Sequence, residues 1–147
     1  MSNSSLQLFC NRIAEAGFIA RADLRILTDE ILPDGITNRD EADLLIALDR
    51  VVVDIDDSFT AFLVAGIVDF AVWCERPTGR IDRAIAAWLA ASLGAGAGPT
   101  ATGARIAMEI VREAENSDEL LIAFALEANR WTRQPAGIDR PAFARAA

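Results

Sequence analysis

The side chains best suited to binding chemistry surround one glycine turn, in the stretch "ILPDGITNRDEADLLIALDR" at residues 31–50. With Gly35 set at the sixth position of an EF-hand calcium loop, four other loop positions carry oxygen-bearing side chains, which are Glu30, Asp34, Asn38 and Glu41. The third position is Leu32, which offers no ligand, whereas calcium takes roughly 6–8 oxygens. The pattern therefore predicts at most a weak site for Ca²⁺ or Mg²⁺.

The same stretch also describes the start of a helix. A glycine turn at Gly35, an N-cap at Thr37 and acids at Asp40 and Glu41 are typical of a helix N-terminus, where side-chain oxygens accept hydrogen bonds and acids suit the helix dipole. We expect Gly35 to take a positive φ. Capping accounts for all of these residues without a metal, and the metal hypothesis stays beside it.

A second acidic cluster, Asp54, Asp56 and Asp57, precedes an apolar segment at 58–74. Three neighbouring carboxylates repel one another unless a cation, an arginine or a helix N-terminus offsets their charge. We expect them to cap the helix that begins near Ser58, with cation binding as the alternative.

Asp69 is an acid within that helix, which is apolar on nearly all sides and is expected to be buried on most faces. A buried carboxylate is costly unless it is paired. Asp69 is therefore expected to pair with an arginine such as Arg76 or Arg83, or to lie at the surface, and a functional role is the alternative.

Missing residue types exclude several mechanisms. The chain has no histidine, no lysine and no tyrosine, and all 14 basic residues are arginine. Without histidine there is no Ser-His-Asp triad and no histidine-ligated zinc, and without lysine there is no Schiff base and no P-loop. We expect a protein that is not an enzyme.

Charge and apolar patterning limit which partners and which cellular compartment are expected. The net charge is −8, and residues 1–75 carry 14 acids against 5 arginines, which makes nucleic acid a poor partner. Cys10 and Cys74 are expected to be buried, reduced thiols. The N-terminus does not have a signal-peptide pattern, and the apolar run at 59–68 is short of the roughly 20 residues that span a bilayer. The expectation is a cytoplasmic protein without a membrane span.

Helical periodicity predicts an all-α fold, a single compact bundle of about seven helices over residues 1–130. "VVVDIDDSF" is interpreted as a helix end and a connector, since a lone strand has nothing to pair with. The third helix is expected to face the core through the stripe Leu44, Ala47, Leu48, Val51 and Val52. The halves look pseudo-duplicated, with Gly35 matched to Gly98 and Thr37 to Thr100.

The last segment, "WTRQPAGIDRPAFARAA" at 131–147, departs from the helical pattern and is rich in proline, alanine and arginine. We interpret it as a basic tail that contacts a protein partner. The residues expected to make that contact are Trp131, Arg133, Arg140 and Arg145.

Several stretches together resemble the TerB-like family of bacterial helical domains, which is linked to tellurite resistance. They are "DGIT" at 34–37 followed by Glu41-Ala42, "FTAFLVAGIVDF" at 59–70, "PTGRID" at 77–82 and "AAWLAASLGAGAGPT" at 86–100. The resemblance implies a seven-helix fold with repeated halves, no enzymatic activity and a role in chemical stress. It also implies divalent-metal binding by acids, although here residues 94–104 contain no acid where the family tends to repeat Asp-Gly.

Two functions follow from these expectations. The first is a non-enzymatic TerB-like binding module of the stress response, with weak Ca²⁺ or Mg²⁺ binding in its first half. The alternative is a small accessory or assembly subunit that acts through protein contacts in a homo-oligomer or a larger complex.

Overall fold

The computed structural model describes residues 3–133, and its class is the predicted one, an all-α helical bundle with seven helices among the described residues. The helices are α1 Ser4–Ala16, α2 Arg21–Ile26, α3 Arg39–Val51, α4 Asp57–Asp69, α5 Arg83–Leu93, α6 Ala101–Glu113 and α7 Glu119–Arg133. One π-helical turn, Leu27–Ile31, continues α2, and another, Phe70–Cys74, continues α4.

The chain divides into two compact units, Met1–Phe70 and Ala71–Ala147, where the sequence suggested one domain over residues 1–130. In the first unit α1 packs against α3, and α4 packs against both α2 and α3. In the second unit α7 packs against α5 and, more extensively, against α6. Because α7 continues to Arg133, the first three residues of the predicted tail are helical.

Within residues 3–133, four two-residue strands form two parallel pairs, so the expectation of a chain without strands was wrong. β1 (Phe18–Ile19) pairs with β2 (Asp54–Ile55), and β3 (Arg80–Ile81) pairs with β4 (Asn116–Ser117). The segment at 54–55 was interpreted as a connector because it seemed to lack a partner strand. Its partner is the short segment directly behind Gly17, where α1 ends.

From β1 and from β3 onward, the two units follow the same order of strands and α-helices with a displacement of 62 residues. β1 and β3 begin at Phe18 and Arg80, and β2 and β4 begin at Asp54 and Asn116. The N-caps of α3 and α6 are Asn38 and Thr100, at the same displacement. The predicted duplication is therefore present, but the predicted pairing of Thr37 with Thr100 and of Gly35 with Gly98 was wrong by one residue.

Apart from α2, each of these helices buries residues in the core of its unit. Helix α1 buries Leu6, Phe9, Cys10 and Ile13, which follow helical spacing on one face. The stripe predicted for α3 was rotated, since α3 buries Glu41, Ala42, Leu45, Ile46, Leu48 and Asp49. Because carboxylates were expected outside the core, the sequence analysis placed Leu44, Ala47 and Val51 there. Leu44 and Ala47 are half-buried, and Val51 is exposed.

Asp69 is exposed on α4, so it lies at the surface, as one of the alternatives predicted, and a functional role for it stays a prediction. It lies one helical turn after the exposed Ala65, which itself follows the exposed Ala61 by one turn. The continuous helix Asp57–Cys74 is long and apolar enough to cross a membrane by length and composition alone, and 39% of it is buried within the chain. An apolar core helix of a soluble protein has the same composition.

The two thiols differ, and the prediction that both are buried was wrong for Cys74. Cys10 is buried on α1, and burial raises the pKa of its thiol to about 11. Cys74 is exposed at the end of the π-helical turn. Because the thiolate is the reactive form, the buried Cys10 thiol with its raised pKa is expected to be the less reactive of the two.

We expect one thiol per folded chain to react quickly with Ellman's reagent at pH 8. Cys74→Ser should remove this fast phase, whereas Cys10→Ser should leave it intact, because the Cys10 thiol is both covered and protonated. Fast labelling of both thiols in the native protein would contradict the burial of Cys10.

Gly35 has φ 77°, as predicted from the turn, and a β-carbon built there meets no atom within 4 Å. Gly35→Ala should therefore cost about 1 kcal/mol of unfolding free energy from backbone strain alone. Gly35→Asn is the matched control and should lose less, because asparagine tolerates the left-handed region. Urea unfolding measures both, and equal stability of the alanine variant and the wild type would contradict this geometry.

Candidate functional site at the start of α3

The turn before α3 is a capped helix start built on different residues from those predicted. The Gly35 amide donates to the Leu32 carbonyl at 3.0 Å and closes the turn. The N-cap of α3 is Asn38, not Thr37, and its side-chain oxygen accepts from the Glu41 amide at 2.9 Å. Glu41 therefore occupies the third helical position, where a glutamate can reach back past the cap.

The Glu41 carboxylate is buried, with only 5% of the residue exposed, and its hydrogen bonds are made inside the first unit. Its Oε1 accepts from the Thr37 amide at 2.8 Å and from the Thr37 hydroxyl at 2.9 Å. Its Oε2 accepts from the Asn3 side-chain amide at 3.0 Å. Thr37, predicted as the cap, is thus a donor to the carboxylate that holds the turn.

Asn3 connects this carboxylate to α1. Its side-chain oxygen caps α1 by accepting from the Leu6 amide at 2.9 Å, while its nitrogen donates to Glu41. Because the two ends of one amide are used differently, Asn3 cannot rotate by half a turn without losing the cap. The N-termini of α1 and α3 are joined through this residue, which sequence analysis did not single out.

Two opposing effects act on the pKa of Glu41. Burial raises this pKa. The hydrogen bonds from the Asn3 side chain, from the Thr37 amide and hydroxyl and from the Asn38 backbone lower it. Together the hydrogen bonds outweigh burial, so the pKa of Glu41 lies below its usual value. The charged form is the one that the folded protein stabilises.

The residues predicted as a calcium loop do not converge. Glu30 is exposed in the π-helical turn, Asp34 is exposed in the glycine turn, and the oxygen of Asn38 is engaged in capping. Within residues 3–133, the structure brings together no group of three or more Asp, Glu, Cys or His side chains arranged to hold a metal. Binding of Ca²⁺ or Mg²⁺ at these acids stays a prediction.

The second acidic cluster is divided among three roles. Asp54 is an exposed strand residue, Asp57 is the first residue of α4, and Asp56 is the N-cap, accepting from the amide of Ser58 at 2.9 Å and from its hydroxyl. The Ser58 hydroxyl and amide lower the pKa of Asp56, burial opposes them, and the Arg21 guanidinium lowers it further. The predicted capping is confirmed for Asp56.

The second unit repeats this arrangement at positions that sequence analysis missed. Asp118 accepts from the Leu120 amide at 3.0 Å, and Arg83 lies 3.6 Å from its carboxylate. Arg83 and Asp118 stand 62 residues after Arg21 and Asp56, with the same residue types. The displacement of 62 was the signal that could have found them.

Of the predicted partner-binding residues, only Trp131 is described with its side chain, which is half-buried on α7. The backbone of Arg133 ends α7, while its side chain, Arg140 and Arg145 lie outside the described part of the chain.

Comparison of the chain with protein families, with curated proteins and with solved structures found no match. The resemblance to the TerB-like family therefore stays a prediction that depends on the sequence pattern alone.

Glu41→Gln should lower the unfolding free energy at pH 7 by about 1–3 kcal/mol, the usual range for hydrogen bonds to a charged group. The glutamine amide would face the Asn3 amide donor, and Asn3 cannot turn without uncapping α1. Glu15→Gln is the control, because Glu15 is an exposed glutamate on α1. Urea unfolding that shows equal losses for the two variants would contradict the structural role of Glu41.

The same variant should change how stability depends on pH. A carboxyl group whose pKa is lowered in the folded state contributes stability above its unfolded pKa of about 4.3, and this contribution disappears as pH falls through the folded pKa. The gap between wild type and Glu41→Gln should therefore be full at pH 7 and narrow below about pH 4. A gap that is constant between pH 7 and pH 3 would show that the Glu41 charge contributes nothing.

Proposed function

We propose that this chain is a non-enzymatic, cytoplasmic helical binding module of bacterial TerB-like type, and that it acts through contacts with another protein. The observation that supports the proposal is the set of large apolar side chains exposed on its surface. Contiguous exposed apolar surface on a folded domain marks sites of protein association.

Among the described residues of the first unit, three of the five exposed large apolar side chains lie in the β1–β2 pair or within three residues of it. Val53 is 92% exposed, Val51 is 59% exposed and Phe18 is 50% exposed. Phe18 is the strand partner of Asp54, which places it next to Val53 along the pair. Burial of apolar surface contributes roughly 25 cal/mol per Å², so covering these side chains would stabilise a complex.

The second unit has an apolar face of its own on α7. Ile122 and Leu126 are exposed and stand one helical turn apart. Contacts made by both units suit the alternative function, an accessory or assembly subunit in a homo-oligomer or a larger complex. Light scattering after size-exclusion chromatography distinguishes a homo-oligomer from a monomeric binding module, since the chain alone has a mass of 15.8 kDa.

We expect the affinity-tagged wild-type chain, purified from the native organism, to retain a protein partner at a fixed ratio. Phe18→Ser together with Val53→Ser should reduce the amount retained at least tenfold, while Glu15→Gln should not change it. Both apolar side chains are largely exposed, so circular dichroism should confirm that the double variant is folded. A chain that elutes alone as a 15.8 kDa monomer under all conditions would contradict the proposal.

The cation part of the hypothesis has its own test. If acids of the first half bind calcium, millimolar CaCl₂ should raise the melting temperature of the wild type, because a ligand that binds only the folded state stabilises it. A variant with Asp54→Asn and Asp57→Asn should lose the rise if the second cluster binds, and Asp34→Asn should lose it if the first loop binds. No rise with either Ca²⁺ or Mg²⁺ would contradict cation binding.

A further inference from the structure

Helices α1 and α3 lie side by side and run in the same direction. At their N-terminal ends the Asn3 amide donates to Glu41, at 3.0 Å. Just beyond their C-terminal ends the Asp54 amide donates to the Gly17 carbonyl, at 3.4 Å. Two such ties, one at each end of the packed pair, fix α1 against α3, and side chains from both helices line one surface groove, the α1–α3 groove.

The α1–α3 groove contains a cavity of about 320 Å³ lined by Gln7, Asp40, Asp43, Leu44 and Ala47. The four residues from α3 follow helical spacing on one face, and Val51 continues that face by one more turn. Leu44 and Ala47 form the apolar part of the lining and are only half-buried. The groove thus presents an apolar stripe that residues 3–133 leave only half-buried.

The dimensions of the stripe suit a helix. From Leu44 to Val51 the stripe follows two turns of α3, roughly 11 Å at the rise of an α-helix. Grooves that lie between two helices and have an apolar floor commonly bind one face of an amphipathic helix. The bound helix inserts side chains at i, i+3 or i+4, and i+7.

The acidic charge around the groove favours basic residues on the flanks of the partner helix. Asp40 is exposed at its rim, and residues 1–70 carry 13 acidic residues against 5 arginines. An acidic field of this size repels phosphate backbones and attracts basic protein segments. The partner helix should therefore have lysine or arginine beside its apolar stripe.

We propose that the α1–α3 groove binds the apolar face of a basic amphipathic helix from a partner protein. This inference rests on the proposed function and specifies the surface and the chemistry of the partner. Leu44, Ala47 and Val51 contact the apolar side chains of the incoming helix, and Asp40 lies beside its basic flank.

The first test uses the full chain and a synthetic probe, a fluorescein-labelled amphipathic peptide of about 14 residues with leucine at helical spacing and arginine on both flanks. Fluorescence anisotropy should show at least tenfold tighter binding of this peptide than of a scrambled peptide of the same composition. Leu44→Ser with Ala47→Ser should weaken binding of the amphipathic peptide at least tenfold, and Ile26→Ser, an equally polar change at an exposed position of α2, should not. Equal binding of the two peptides, or insensitivity to the groove variant, would overturn the proposal.

A second measurement separates this inference from the proposed function. Both serine variants, checked for folding by circular dichroism, are used to co-purify the native partner. Loss of the partner with the groove variant only supports the inference. Undiminished recovery with that variant overturns the groove while leaving the proposed function intact, and the absence of any partner or oligomer overturns both. A dimer that the groove variant dissociates would make the occupant a second copy and would also overturn the proposal.

Discussion

The structure of each unit depends on one short parallel strand pair. In the first unit the Asp56 amide donates to the Ile19 carbonyl at 3.0 Å, and in the second the Asp118 amide donates to the Ile81 carbonyl at 2.8 Å. Parallel strands cannot be joined by a tight turn, so a long crossover must separate them. In each unit two helices form this crossover. The bond places the start of the helix after the second strand next to the start of the helix after the first strand. Ile19 and Ile81 are each only 2% exposed and anchor the pairs in their cores.

The two copies diverge where the candidate site lies. Asn38 and Thr100 perform the same capping task, with each side chain accepting from the amide three residues on. At that third position the first copy has Glu41 and the second has Gly103. A β-carbon at Gly103 would lie 3.3 Å from the Thr100 hydroxyl oxygen and 3.5 Å from the Leu93 carbonyl oxygen, so the second copy has little space for a side chain there. The buried carboxylate that ties α3 to a neighbouring helix is thus a property of the first unit alone among the described residues.

Local chemistry made much of this predictable. The end of α1 at Gly17, the positive φ of Gly35, the buried stripe of α1 and the acidic start of α4 all follow from residues close together in sequence. The strand pairs were missed because each is two residues long and its partner lies 36 positions away, from Phe18 to Asp54. Hydrophobic patterning also failed for α3, because Glu41 and Asp49 are buried there in place of apolar residues. For Asp69 the sequence left an ion pair and a surface position open, and in the structure it lies on a side of the helix in contact with solvent.

Amide hydrogen exchange measured by NMR tests directly whether the strand pairs hold both units. Bonds that open only when a unit unfolds protect their amides far more strongly than bonds that fray locally. The account predicts that the amides of Asp56 and Asp118 exchange as slowly as those of the buried core helices in their own units. Exchange of either amide at the rate of exposed turn residues would contradict the claim that this strand pair holds its unit together.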